Sequence, residues 1–140
     1  MKMISLRQPH AWAVIFGGKD IENRTRPTNY RGLLAIHASK QGTKRDYEDD
    51  CRMFIRKFKL EPPRYEQAEQ GGIIGIVELT DVVTRHKSRW FKRRWFSVVY
   101  GLVLERPEPV EFYPCAGQVG IINAPEPWLA TQRIRGGLDT

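Results

Sequence analysis

Gly72-Ile73-Ile74-Gly75-Ile76-Val77-Glu78-Leu79 is the stretch on which the fold turns. β-Branched side chains crowd a helix but pack well on a pleated surface, so this run reads as a buried strand. Strict alternation would put Ile74, Ile76 and Glu78 on one face. A carboxylate beside two isoleucines needs a cation or a hydrogen-bond donor to meet it there.

Downstream, Ser97 to Leu104 and a short piece around Val119 to Ile122 also read as strands. Between them Pro107, Pro109 and Pro114 argue for loops or edge positions, because proline cannot donate to a central ladder. Upstream, Leu33-Leu34-Ala35-Ile36-His37-Ala38 is short and apolar enough for another buried strand. Thr43 with Asp46 three residues on is a capping signal, and Tyr47, Cys51, Phe54 and Phe58 then recur at helical spacing. This predicts one long helix, ended by Pro62-Pro63. A shorter helix is expected between Pro9 and Gly17-Gly18, with Trp12, Ile15 and Phe16 on its core face. Helices come early and strands late, without βαβ alternation. The expected class is therefore α/β in the α+β sense, a small barrel flanked by a few helices rather than a doubly wound sheet.

A chain of 140 residues, 41% of them hydrophobic, supports one domain over 1–140, with a tail at 131–140 expected to be loosely held. No stretch reaches the ~18 apolar residues of a membrane helix. Met1 to Ser5 lack the apolar run of a secretion signal, so a cytoplasmic location and no membrane partner are expected. Cys51 and Cys115 are far apart and read as small apolar fillers. His10, His37 and His86 have no metal-ligand spacing; no metal and no cofactor are expected.

The formal net charge is +7, which favours a polyanionic partner. Most of that excess sits in one basic loop, 85–96. It carries Arg85, Lys87, Arg89, Lys92, Arg93 and Arg94 with no acid, interleaved with Trp90, Phe91, Trp95 and Phe96. Cations at this density can track phosphates while exposed rings stack on unpaired bases. The alternative is a solvated loop whose rings fold inward. A second group is Lys19, Glu22 and Arg24 with Glu78: a lysine beside a carboxylate in a dry cleft can act as a base or grip a ligand, or it can be a structural ion pair. A third is Arg7 and Gln8 at the mouth of the first helix, where an anion is favoured.

Ser5-Leu6-Arg7-Gln8-Pro9-His10-Ala11-Trp12-Ala13, then Gly17-Gly18-Lys19-Asp20-Ile21-Glu22-Asn23-Arg24, then Tyr30 through Lys40, resemble the ASCH (activating signal cointegrator homology) family in order and spacing. Later strands look similar at Gly75 to Asp81, Tyr100 to Leu104 and Pro114 to Gly120. The resemblance implies a PUA-like β-barrel with a cleft for RNA-related ligands beside it. It also implies that Lys19 and Glu78 line that cleft. Some relatives remove the acetyl group of N4-acetylcytidine with a lysine, a threonine three residues later and a strand glutamate. Here that middle position is Glu22. Other relatives are ribonucleases. The family's aromatic residue after the late glycine is replaced by Ile121-Ile122.

The expected function is binding of RNA or a nucleotide, with Lys19, Glu22, Arg24 and Glu78 in the cleft and the basic loop on phosphates. The alternative is a hydrolase acting on RNA or a modified nucleoside, with Lys19, Glu22 and Glu78 catalytic. A protein-interaction role for exposed Trp90 and Trp95 is a third class.

Overall fold

The computed structural model describes residues 1–134. Six strands form one mixed sheet in the order β2-β5-β4-β3-β1-β6: β1 (Lys2–Arg7), β2 (Ile21–Arg24), β3 (Gly32–Ser39), β4 (Gly72–Val83), β5 (Tyr100–Pro114) and β6 (Ile121–Asn123). β1 runs parallel to β3 and every other pairing is antiparallel. The result is a half-barrel, open between its edge strands β2 and β6, with three helices: α1 (His10–Phe16), α2 (Lys44–Phe58) and α3 (Glu126–Ile134).

Each face of the sheet carries its own core. Ala11, Val14 and Ile15 of α1 pack on Ile4, Leu34, Ile36, Leu79, Leu102 and Leu104. Trp128 and Leu129 of α3 cover Met3, Ala35, Ile73 and Ile76 on the other face. α1 approaches so closely that a Cβ at Gly75 would stand 2.4 Å from Ile15 Cδ1, so only glycine fits there. The helix turns Ala11, Val14 and Ile15 inward, which leaves Phe16 57% exposed rather than on the expected core face.

α2 forms as its sequence signals dictate. Thr43 accepts from the Asp46 amide while the Asp46 carboxylate accepts from the Thr43 amide, completing a capping box. Tyr47 and Phe54 are buried. The helix stops at Phe58 because Lys59 turns left-handed at φ 56°, before the prolines are reached.

The strand expected over 97–104 is longer: β5 runs from Tyr100 to Pro114, with Pro107 and Pro109 at the edge positions expected of them. β2 pairs only with Tyr100 to Val103, so beyond that point β5 is an edge and a missing N–H costs nothing. Register shifts along β4 also break the alternation: Ile74 belongs to the α1 core and Ile76 to the α3 core. Sequence patterning does not reveal β1, β2 or α3, and the tail expected to be loose begins inside α3; residues 135–140 lie outside the described residues.

Candidate nucleic-acid interface

β2 leaves α1 through Gly17-Gly18 and carries the Lys-x-x-Glu-x-Arg element along the sheet edge. Lys19 is only 6% exposed. Its ammonium lies 3.1 Å from Glu22 Oε1 and 3.0 Å from His10 Nδ1, with the Trp90 ring 5.8 Å away. A lysine ammonium only donates, so His10 Nδ1 accepts and Nε2 carries the hydrogen, facing Asp50 Oδ2 at 3.5 Å. Burial lowers the His10 pKa, the Asp50 hydrogen bond opposing that shift and the Lys19 charge adding to it.

Glu22 uses its second oxygen on Arg24, whose Nε stands 3.2 Å away, outside hydrogen-bonding angles. Arg24 Nη2 donates to the Ser5 carbonyl. Lys19, buried, and Glu22, partly buried, thus form an ion pair behind Arg24, and Arg24 lines two cavities.

That wall belongs to a cleft of about 1090 Å³ between the ends of β1 and β3 and the loop 114–119. Arg7, Arg24 and Lys40 supply three cations, and no carboxylate lines it among the described residues. Ser5 and His37, register partners on β1 and β3, make its polar floor. His37 Nε2 lies 2.7 Å from the Cys115 carbonyl, which can only accept; Nε2 therefore donates, and in the neutral ring Nδ1 accepts from Ser5 Oγ at 3.0 Å. Gly117 closes against this pair: a Cβ there would stand 2.2 Å from Ser5 Oγ. Arg24 and Val119 also line an adjoining cavity of about 600 Å³ toward β6.

The expected Lys19–Glu78 pair does not form. Glu78 pairs in register with Leu33, which packs on the α3 core, whereas Glu22 pairs with Leu102 of the α1 core. The two carboxylates therefore face opposite sides of the sheet, and Glu78 Oε1 instead accepts from Arg106 Nη2 at 2.7 Å. Gln8 is engaged inside: it is 6% exposed, donates to the Glu69 carbonyl and accepts from the Trp12 amide. Arg7 lines the cleft while paired with Asp50 at 2.8 Å.

The basic loop is anchored by the outward residues of the same β2 element. Asn23 donates to the Trp90 carbonyl and accepts from the Lys92 amide, and Ser88 donates to Asp20. Trp90, expected on nucleic acid, stacks at 3.7 Å on Phe58 and meets Phe54 edge-on. Arg85, Lys87, Arg89, Lys92, Arg93 and Arg94 are exposed, with Arg89 over the Phe58 ring. Sequence reasoning missed Ser5, His37, Lys40 and Asn23 as site residues; Lys40 was visible only as a residue just beyond the strand expected at 33–38, inside the stretch that carries the family resemblance.

A family model for the ASCH domain matches residues 4–111. Two crystal structures of ASCH from Zymomonas mobilis, one of them a point mutant, share the fold at a TM-score of 0.60 and 14% identity. They cover 96% of this chain and 96% and 93% of their own. Comparison with curated proteins gives no match. No helix among the described residues is long and apolar enough to cross a membrane.

Proposed function

The chain belongs to the ASCH domain family, which is generally associated with RNA binding, and on that premise we propose that it holds one nucleotide of an RNA strand in the cleft under Arg7, Arg24 and Lys40. The observation that carries this reading is the cleft itself: three cations, no carboxylate among the described residues, and a volume just above the roughly 300–1,000 Å³ of small-molecule sites. Phosphate oxygens suit the two guanidiniums, which can each take a pair of them. Ser5, with its hydroxyl on His37, and Gln118 offer polar partners for a base or sugar.

In this reading Lys19 and Glu22 are positioning residues, and the basic loop continues the phosphate track outside the cleft. A hydrolase using Lys19 is supported less well, because its ammonium is buried behind Arg24 and already engaged by His10 and Glu22. Titrating a short single-stranded RNA across a range of salt tests the proposal. Replacing Arg24 by Gln should weaken binding and lower the salt slope by about 0.7, the share of a single neutralised phosphate. An Arg24→Gln protein with unchanged affinity and slope would remove the cleft from the binding site.

A further inference from the structure

We propose that the outer half of the basic loop, the Trp95–Phe96 pair with Arg93 and Arg94, is a stacking platform for unpaired bases of single-stranded RNA. It rests on the RNA-binding reading but names a surface separate from the cleft, with which it shares no lining residue. The two halves of the loop are held very differently. From Ser88 to Lys92 it is tied to β2 through Asp20 and Asn23, and its tryptophan there, Trp90, is spent inside on Phe58. The chain returns to the core only at Val99. Between those anchors Trp95 is 95% exposed and Phe96 65% exposed, their rings touching edge to face at 5.5 Å.

Two large rings side by side in water are an unusual surface for a packed domain, and their setting selects the partner. The loop holds six cations and no acid, so the partner is a polyanion. Among polyanions, an unpaired nucleic acid strand offers phosphates to the cations and flat base faces to the rings, whereas a duplex hides those faces within its own stack. The residues on either side of the pair, Arg93, Arg94, Ser97 and Val98, line a cavity of about 400 Å³ together with Thr84, Phe91 and Val99. Its two guanidiniums, next to the rings in sequence and exposed, can take the phosphates of a strand whose bases stack on the pair.

The test compares the full chain with Trp95→Ala/Phe96→Ala on a short single-stranded RNA and on the same sequence as a duplex. Both side chains are exposed, so the thermal unfolding curve should not move. The double variant should bind the single strand roughly 5- to 150-fold more weakly, the range for one stacked base, with the salt slope unchanged because every cation is kept. Trp95→Phe should keep most of the affinity, and duplex binding should not respond. Equal single-strand affinity in wild type and double variant, with Arg24→Gln still weakened, would overturn the platform and leave the cleft reading standing. Absence of any RNA binding by the wild type would overturn both. Phosphatidylserine vesicles form a further arm: vesicle binding that disappears in the double variant while RNA binding is kept would overturn the platform in favour of a lipid surface.

Discussion

The Lys19 ammonium sits 3.1 Å from one oxygen of Glu22, and the other oxygen of the same carboxylate faces Arg24 at 3.2 Å. One partly buried carboxylate therefore serves two cations, one structural and one at the cleft wall. Removing it has a different consequence from removing either cation.

Glu22→Gln should be the most damaging change in this element. It leaves the Lys19 charge buried without its counter-ion, and breaking a buried pair from one side costs about 3–5 kcal/mol. Lys19→Met should cost clearly less, because Glu22 keeps Arg24. Denaturant unfolding of the two variants checks the order, and a reversed order would show that Lys19 is not dependent on Glu22.

Gly117→Ala tests whether the loop 114–119 must lie against the cleft floor. The added Cβ would come within 2.2 Å of Ser5 Oγ and 2.6 Å of His37 Cε1. We expect a destabilisation of about 1–3 kcal/mol, as for overpacking, and weaker RNA binding. Ser5→Ala in the same chain should restore part of the stability by removing the nearest atom. Purely additive effects in that double-mutant cycle would mean that the residues do not touch.

The pH dependence should carry the mark of His10. Its pKa is lowered from an ordinary 6.5, mainly by burial. As pH falls below 6.5 the unfolded chain takes up a proton that the folded histidine refuses, so stability declines from 6.5 down to the lowered pKa. Asp46, Asp50 and Glu66 are lowered from 3.8, 3.8 and 4.5, and their contribution is lost only at more acid pH. His10→Asn, which keeps an acceptor for Lys19, should flatten the fall in melting temperature that begins below pH 6.5. An unchanged slope would assign it to another group.

Phe16, expected on a core face from its spacing, and Trp128, in a helix that patterning does not reveal, should behave in opposite ways. Phe16, exposed on α1, should tolerate Phe16→Ser within about 0.5 kcal/mol. Trp128 is 1% exposed on the inner face of α3, and Trp128→Ala should cost about 3–5 kcal/mol. Equal costs would contradict the packing of both helices.

Local interactions were legible from the residues alone. The Thr43–Asp46 box and the spacing of Tyr47, Cys51, Phe54 and Phe58 specify α2, a short apolar run specifies β3 and a β-branched run the core of β4, because caps and periodicity act within a few residues. The cation-rich loop and the Lys-x-x-Glu-x-Arg element were equally visible. Which groups meet was settled only by the fold. Shifts of register along β4 change which face a side chain takes, and they send Glu78 to Arg106 while Glu22 stays with Lys19. Trp90 and Trp95 stand five residues apart in one basic run, yet Phe58 waits beneath the first while the second stays open to solvent. Such outcomes depend on surfaces brought together from distant parts of the chain, about which neither periodicity nor composition carries information.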